Sequence, residues 1–580
     1  MRNFTLSSAY IIAPITFLSI FQFAAATLSI TQLPFTLNIL FSFTVAVLAT
    51  FIITREFKES ILCTRKQVLV VLILSIALTS LFILRLNYEI FDFTCLTGLL
   101  GLITQVTEGH FPVSYHSFPD LTMNYHQGFI FLTGIFTILF QVPIAAATKI
   151  MLASLFFFLN LSITLYFIGT QNRFYYLPPV FFLLIASVSG SFHNLFGIAA
   201  LPSVSIFEFS NSSSWPLGLL TVIVLLFIGK TYKQSPKHLF LVCLLILSIA
   251  TINATLFQLI FISSILIAAV SIVSAYRNGN TLNGQTLLLF LAAAMLLLLI
   301  PKVIPSAMML GDSYGSPQLQ FNFFAYSLQY FFYETVQYFF LTGPLPIIVL
   351  IATPFVLLRT SSTYVKLYIL LLVTLLFPVV FSVKNMYNWN AVHKFALLSI
   401  FLSIILAVAI LGNLRKFKSL FKLTILFSAI VSFTTVYQIS LHYVSLDFYS
   451  YNKPSESMRD VVLYLKDHPS LLIPFNNQPN VFCDLTGYAA VAQYSGNFIR
   501  DAYNVGFLLN EDVEAQYTTN ASWANFNKKS QAVHAELQNG ATLIVEKNLL
   551  DPDTLLLIER EIPANKKEFS HYILYRTEPW

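Results

Sequence analysis

Residues 85–128 read RLNYEIFDFTCLTGLLGLITQVTEGHFPVSYHSFPDLTMNYHQG, a long polar segment in a chain that is otherwise very apolar. Between Glu59 and Asp447 the chain contains seven acidic residues, and four of them lie in this segment. The four are Glu89, Asp92, Glu108 and Asp120. Because lipid strongly disfavours carboxylates, we expect the segment to lie outside the hydrocarbon of a membrane. An ordinary solvated loop and an active site at the membrane surface both fit this pattern.

The composition outside this segment is typical of a polytopic α-helical membrane protein. The chain has 580 residues, of which 57% are hydrophobic and 10% are charged, and its mean hydropathy is +0.74. Soluble domains carry about 25% charged residues. Apolar runs of about 18 residues recur along the chain, which predicts many membrane-spanning helices and the bilayer as a partner. Basic cytoplasmic connectors account for the net charge of +6, so no nucleic-acid partner is predicted.

The alternation of apolar segments and basic connectors predicts the orientation of the chain. The apolar segments fall near 8–30, 36–54, 67–84, 128–141, 146–169, 176–197, 215–230, 238–252, 255–275, 285–303, 343–358, 367–383, 395–412 and 423–441. The positive-inside rule assigns the basic connectors to the cytoplasm. These connectors contain Arg55, Lys58, Arg65, Lys66, Lys230, Lys233, Lys237, Arg277, Arg359, Lys366, Arg415, Lys416, Lys418 and Lys422. The connectors 85–127, 304–342 and 384–394, and the tail after Leu441, are then predicted to face outward.

The three apolar segments between residues 128 and 197 break this alternation if all of them cross. The later basic connectors require two net crossings there, so one segment is predicted to enter the membrane without crossing. Pro143 and Gly190 are candidate helix breakers. The predicted fold is therefore about 13 transmembrane helices, with the first apolar run retained as a helix, the N-terminus inside and the C-terminus outside.

The tail, residues 445–580, has the composition of a soluble domain and is predicted to be a separate extracytoplasmic α/β domain beside the membrane domain 1–444. The segment SESMRDVVLYLKDH has a helix-capping pattern and helical apolar spacing. The segments LLIPF, ATLIVEK and HYILYR are typical of short strands. DPDTLLLIEREI predicts a helix between the last two strands. The tail contains no Gly-rich phosphate loop and no Ser nucleophile elbow.

Asp92 is the first candidate catalytic residue. It follows the third apolar segment by a few residues and precedes LTGLLGLITQV, which is predicted to be a short helix in the membrane interface. Partial desolvation there would raise the pKa of the carboxyl and suit it to act as a general base on an acceptor hydroxyl or amine. The alternative is a solvated or helix-capping aspartate.

Further polar residues of the same loop are candidate substrate contacts. They are Glu108, His110 and His126, with His116 and Asp120 beside them. Their spacing matches no strong zinc template, so no metal site is predicted. A divalent cation could still bind through Asp92 and a second acid, although none is required for the predicted reaction. The alternative is a polar loop without a ligand.

Two later segments supply further candidate contacts. Lys384, His393 and Lys394 gather three potential cations at an outward helix end, which suits a phosphate or diphosphate. Snorkelling toward lipid headgroups is the alternative explanation for them. In the polar segment 189–216, His193 and Asn194 are candidate contacts for sugar hydroxyls, and a structural loop is the alternative.

The order of these features resembles the GT-C glycosyltransferases, which include protein O-mannosyltransferases and bacterial aminoarabinose transferases. The similar features are a membrane helix, Asp92 just outside it, an interfacial helix, a loop with FP and YHQG, and the late segment NWNAVHKFALLSI. Two extra helices precede the acidic loop here. The resemblance implies a polyprenyl-phosphate-linked sugar donor, Asp92 as the base and Lys394 as the phosphate contact.

The predicted function is therefore an inverting glycosyltransferase in a bacterial plasma membrane. It would move a sugar from a polyprenyl-phosphate donor to an extracytoplasmic glycan, lipid or protein. A lipid or polysaccharide transporter, or a polymerase, is a second reading. The scarcity of acids within the apolar segments disfavours coupling to protons or sodium ions. A third reading is a non-catalytic membrane assembly protein whose tail binds a partner.

Overall fold

The computed structural model describes twenty segments of the chain. They are residues 3–86, 99–107, 109–115, 118–122, 127–142, 144–184, 215–232, 235–277, 318–321, 344–357, 362–384, 388–414, 456–468, 470–475, 498–499, 535, 537–547, 555–556, 559–560 and 564–577. The chain divides into two compact units. Unit 1 comprises residues 1–83, 124–132 and 150–444, and unit 2 comprises residues 84–123, 133–149 and 445–580.

The described part of the chain is mostly helical before residue 415. Its helices are α1 Ala9–Ser29, α2 Phe35–Phe57, α3 Arg65–Leu86, α4 Leu99–Thr107, α5 Gly128–Phe140, α6 Ile144–Gly169, α7 Leu177–Leu184, α8 Trp215–Thr231, α9 Pro236–Ile252, α10 Ala254–Arg277, α11 Pro344–Val356, α12 Ser362–Val380 and α13 Asn388–Asn413. Among the residues that the structure describes, five helices are long and apolar enough to cross a membrane, and six shorter helices are also apolar. The fold is that of an α-helical membrane protein. The predicted spans 285–303 and 423–441 lie outside the described residues.

Burial separates the helices of unit 1 into inner and outer ones. From Phe395 to Leu411 every side chain of α13 is buried. By contrast, α2 and α3 expose large apolar side chains such as Phe51, Leu48 and Leu69. An apolar helix face left open to the surroundings is expected for a protein whose solvent is lipid. The inner helices instead bury hydroxyls, several of which donate to the carbonyl four residues earlier, as Thr164 does to Asn160.

The basic connectors of unit 1 converge at one end of the helices, which we call the basic face. Lys230 at the end of α8 forms an ion pair with Glu59, at 2.9 Å between Nζ and Oε1. Lys237 at the start of α9 pairs with Glu56 at the end of α2, at 2.6 Å. Lys366 in the second turn of α12 lies over the ring of Tyr232. The ends of these helices that carry basic connectors therefore lie together, as the positive-inside pattern predicts.

The N-terminal strand also belongs to the basic face. Strand β1, Asn3–Ser7, pairs antiparallel with β2, Ser60–Thr64, in the register Thr5 to Leu62. The Ser8 hydroxyl accepts a hydrogen bond from the backbone N–H of Glu59 at 2.8 Å. Helix α1 therefore begins at the basic face, and α2 returns to it.

Helices α3 and α6 both reach the basic face. Helix α3 begins there, directly after β2. Helix α6 ends at the same face, because a Cβ on Gly169 would lie 3.0 Å from Lys230 Nζ. Which segment between residues 128 and 197 enters the membrane without crossing stays a prediction.

The start of α5 is held by a close backbone approach in unit 1. A Cβ on Gly128 would clash with the Gln22 side chain of α1 and would lie 2.9 Å from the carbonyl oxygen of Thr251. The Phe131 ring meets Phe21 edge-on at 5.2 Å between centroids. Only glycine fits at position 128, which explains the last residue of the YHQG motif.

The end of unit 1 opposite the basic face carries a two-stranded ribbon. Strand β5, Gln318–Phe321, pairs antiparallel with β6, Phe381–Lys384. Because β6 continues directly from α12, which is about 27 Å long, the ribbon lies roughly one hydrocarbon thickness from the basic face. Helix α13 then returns, and near its end the Val408 carbonyl oxygen accepts a hydrogen bond from Asn172 Nδ2 at 2.9 Å. Within the described residues, Gln318–Phe321 and Phe381–Lys384 thus lie together at this end.

Unit 2 contains a five-stranded mixed sheet. Its strands are β7 Leu471–Phe475, β8 Phe498–Ile499, β9 Thr542–Glu546, β10 Asn565–Glu568 and β11 Tyr572–Arg576. They are arranged in the order β10-β11-β9-β7-β8, with β7 parallel to β8 and β9 and the other pairs antiparallel. Helix α14, Glu456–Asp467, buries Val461 and Leu465 against Leu472 and Leu574 of this sheet. The strands predicted at LLIPF, ATLIVEK and HYILYR are confirmed, whereas most of the predicted helix 551–562 lies outside the described residues.

Three smaller features complete the described part of unit 2. Helix α4 lies against β8, and strands β3, Ser114–Tyr115, and β4, Phe118–Thr122, form a hairpin. Lys547, just after β9, donates a hydrogen bond to Glu568 of β10 at 2.6 Å. This contact keeps the pKa of the Glu568 carboxyl below its ordinary value.

We predict that Gly128→Ala destabilises unit 1 by about 2 kcal/mol, because the added methyl has no room against Gln22 and the Thr251 carbonyl. The measurement is the thermal unfolding midpoint of the purified protein in detergent. Gly229→Ala is the matched control, since a Cβ there has nothing within 4 Å, and its midpoint should be unchanged or higher. Equal midpoints for the two variants would contradict the close approach at Gly128.

We predict that Glu59→Gln lowers the stability of the basic face by about 2 kcal/mol, because it leaves the largely buried Lys230 ammonium without its carboxylate. Adding Lys230→Met should recover most of the loss, since the uncompensated charge is then absent. The exposed Lys58→Gln serves as control and should not change the unfolding midpoint. A double variant no more stable than Glu59→Gln would argue against this pairing.

Candidate functional site

Most of the predicted loop residues lie outside the part of the chain that the structure describes. These are Asp92, Glu108, His126, His193 and Asn194. The backbone is described at His110, Lys384, His393 and Lys394. The catalytic role of Asp92 and the contacts of the other loop residues therefore stay predictions.

The predicted interfacial helix before His110 is present as α4, Leu99–Thr107. Leu102, Ile103 and Val106 are buried along one side of it. A Cβ on Gly134 of α5 would clash with the Val106 side chain, so the two helices approach closely within unit 2. The apolar side of α4 is thus buried in protein, and its position in a membrane interface remains a prediction.

His110 lies at the C-terminal cap of α4. Its backbone N–H donates to the Gln105 carbonyl at 2.8 Å, and the N–H of Gly109 donates to Val106 at 3.0 Å. Gly109 has φ +88°, the left-handed conformation that ends helices and favours glycine. The imidazole of His110 is exposed. The cap fixes where His110 leaves the helix, and the exposed ring is accessible to a ligand.

The three predicted phosphate contacts all lie at the end of unit 1 opposite the basic face. Lys384 is the last residue of β6, and His393 and Lys394 are in the second turn of α13. Lys394 is about 28 Å from the α13 end at the basic face, by helix rise. These residues also lie near the N-terminal end of a 26-residue helix, where the helix dipole favours anions. The backbone therefore brings together the cationic residues that the sequence singled out.

No carboxylate is near these cations in the sequence. The chain has no Asp or Glu between Glu334 and Asp447. At the basic face, in contrast, Glu56 and Glu59 are paired with Lys237 and Lys230. Lys384, His393 and Lys394 therefore have no acidic neighbour within their own stretch of sequence, and cations of this kind suit an anionic ligand.

Sequence reasoning missed a seam of buried polar groups between α1, α8 and α9. Gln22 Nε2 donates to the carbonyl oxygens of Ser19 and Ser248 at 2.7 and 2.8 Å. The hydroxyls of Ser19 and Thr221 are 2.9 Å apart. Polar contacts of this kind join helices where lipid gives no hydrophobic drive for association. The available signal was the helical spacing of Ser19 and Gln22, which places both on one side of α1.

The described residues contain no group of three His, Cys, Asp or Glu side chains that could hold a metal ion. Asp92 and Glu108, the acids named for a divalent cation, are outside that search. A cation at the loop therefore remains a prediction.

No protein-family model matches the chain, and no curated protein matches it either. The resemblance to the GT-C enzymes rests on the loop and helix motifs alone.

We predict that the end of unit 1 opposite the basic face and the loop 85–127 both face the outside, and that the basic face is cytoplasmic. Ser114→Cys and Ser530→Cys should react with a membrane-impermeant maleimide in intact cells, in a background without the native cysteines. Ser60→Cys, which is exposed on β2 at the basic face, should react only after permeabilisation. The reverse pattern would invert the orientation and remove the loop from the donor side.

Proposed function

We propose that this chain is a membrane glycosyltransferase of the GT-C type that uses a polyprenyl-phosphate-linked sugar as donor. The observation that carries the proposal is the gathering of Lys384, His393 and Lys394 at the end of unit 1 opposite the basic face. No acidic residue lies between Glu334 and Asp447 in the sequence. A phosphate carried by a membrane lipid matches these cations in charge.

Asp92 is the proposed base. It follows Leu86, the last residue of α3, by six positions in the sequence. In the proposal its carboxylate takes the proton of an acceptor hydroxyl outside the hydrocarbon of the membrane.

The proposed reaction is an inverting displacement at the sugar C1 carbon. The acceptor oxygen forms the new bond to C1 as its proton passes to Asp92, and the bond from C1 to the phosphate oxygen breaks. Lys394, with Lys384 or His393, stabilises the negative charge that grows on the departing polyprenyl phosphate. The ammonium groups supply this charge, so a metal is not required, although a divalent cation bound by Asp92 and a second acid would serve the same purpose.

We infer about 13 transmembrane helices in residues 1–444 and an extracytoplasmic α/β domain in residues 445–580, in a bacterial plasma membrane. The packing of α4 against β8 supports a common side for the loop 85–127 and the tail. In this arrangement the tail shapes the site of a glycan, lipid or protein acceptor.

A lipid or polymer transporter is the second candidate. The buried polar seam around Gln22 favours it, because transporters place polar groups and interrupted helices within the membrane. Near this seam, α9 and α10 are interrupted at Asn253, which has extended backbone angles. The seam contains amides and hydroxyls without charges, so it would suit a neutral group and not proton coupling.

We predict that Asp92→Asn lowers sugar transfer roughly 100-fold or more, because the amide keeps the shape of the side chain but cannot accept the proton. The measurement is transfer from polyprenyl-phosphate sugars in a membrane preparation, with the protein level checked by immunoblot. Glu108→Gln is the comparison and should have a smaller effect. Wild-type rates in Asp92→Asn would exclude this residue as the base.

Lys394→Ala should act differently in the same assay. It should raise the apparent KM for the donor and lower kcat together, because the ammonium contacts the phosphate both before and during its departure. If wild-type protein transfers no sugar from a broad donor panel but moves labelled lipid across proteoliposome membranes, the transporter reading replaces the enzyme.

A further inference from the structure

Helices α2 and α3 are the outermost long helices of unit 1. Of the five described helices that are long and apolar enough to span a membrane, these two are the least buried. On α3 the exposed side chains of Leu69, Ile73 and Ile76 recur three and four residues apart, so they form one stripe along the helix. On α2, Leu48 and Phe51 form a corresponding exposed stripe. Stripes that are both apolar and open suit contact with lipid chains.

Both stripes continue into exposed cations at the basic face. Lys66 lies three residues before Leu69 on α3, and Arg55 lies four residues after Phe51 on α2. By helix rise, each cation is about 5 to 6 Å along the axis from the nearest exposed apolar residue of its stripe. Tyr10, in the first turn of α1, is also exposed at this face, as tyrosines at a membrane interface are. A basic side chain in this position keeps its methylene groups with the acyl chains and extends its charge to the headgroups.

The connector between α2 and α3 adds two further exposed cations, Lys58 and Arg65. We call Arg55, Lys58, Arg65 and Lys66 together the cationic band. Strand β2, which lies between Lys58 and Arg65, is about 17 Å long. The cationic band therefore runs along the edge of the helices over a distance much longer than one ion pair.

The carboxylates beside the cationic band are already engaged. Glu56 pairs with Lys237 at 2.6 Å, and Glu59 pairs with Lys230 at 2.9 Å. Within the part of the chain that the structure describes, no ion pair joins a residue of the cationic band to a carboxylate. Four positive charges therefore face the surroundings next to lipid-facing helix stripes, where anionic headgroups are the complementary charges.

We propose that the cationic band binds anionic phospholipids, whose phosphates contact the exposed cations and whose acyl chains pack along the stripes of α2 and α3. A zwitterionic lipid fits the apolar stripes equally well but carries no net charge for the band. The cationic band is at the end of unit 1 opposite Lys384 and Lys394. It therefore binds these lipids whether or not the chain is a glycosyltransferase.

A reporter within the cationic band tests this binding locally. Leu62 is exposed on β2, between the two pairs of cations. Leu62→Cys, in a background without the native cysteines, is labelled with an environment-sensitive fluorophore. The labelled full-length protein in detergent is titrated with phosphatidylglycerol or with phosphatidylcholine that has the same acyl chains. Phosphatidylglycerol should bind about tenfold or more tightly, and added salt should weaken its binding.

Variants of the cationic band should lose this preference. Arg65→Gln/Lys66→Gln should weaken phosphatidylglycerol binding about 25-fold, or about fivefold for each cation, and leave phosphatidylcholine binding unchanged. Arg65→Lys retains the charge and should bind as the wild type does. Lys466→Gln, which removes an exposed positive charge from unit 2, is the matched control and should have no effect.

The unfolding midpoint in phosphatidylcholine shows whether each variant is folded. If Arg65→Gln/Lys66→Gln is not, Arg55→Gln/Lys58→Gln removes the other two cations and should weaken binding by a similar factor. Wild-type affinity for phosphatidylglycerol in a folded double variant would overturn the proposal. Equal affinity of the wild type for the two lipids would also overturn it, as would displacement of the lipid by an equal concentration of inorganic phosphate, because the band would then not select an anionic lipid.

Discussion

The ion pair between Lys230 and Glu59 fixes the frame on which the rest of unit 1 depends. A largely buried ammonium cannot be left alone in a medium of low dielectric, so the end of α8 must meet the residues that follow α2. The same ammonium lies 4.5 Å from the ring centroid of Tyr166 in α6. The Lys230 side chain therefore joins three helix ends that are far apart in the sequence. The length of each helix then determines how far its opposite end lies from the basic face.

In lipid, the hydrophobic effect does not drive helices to associate as it does in water. Apolar side chains gain little by leaving hydrocarbon for protein, so packing and hydrogen bonds decide which helices adjoin. The Gln22 amide of α1 meets this requirement by donating to the Ser248 carbonyl of α9, besides the Ser19 carbonyl of its own helix. Its position beside Gly128 also admits the start of α5, because a smooth backbone is the only surface that fits there. Polar pairing and close approach thus replace hydrophobic burial as the source of specificity.

The hydropathy and charge patterns predicted the helical membrane class and the convergence of basic connectors, because both follow from the cost of charge in lipid. They could not decide which segment between residues 128 and 197 fails to cross, since these segments are similarly apolar. The pairing of β5 with β6 was hidden from the sequence, because the strands are short and more than fifty residues apart. Lys384 and Lys394 were singled out as candidates because their charge opposes the positive-inside bias.

The contrast between the two ends connects the fold to chemistry. At the basic face each described carboxylate has a cationic partner, so the negative charges there are accounted for by the structure itself. At the opposite end the cations follow a long stretch without acids, and the helix that carries two of them presents its positive end to the same region. Clustered basic residues at a membrane surface suit an anion, and a lipid phosphate is the anion of the proposed function. Charge alone would retain any phospholipid, so selectivity for a sugar-bearing lipid has to come from groups other than these cations.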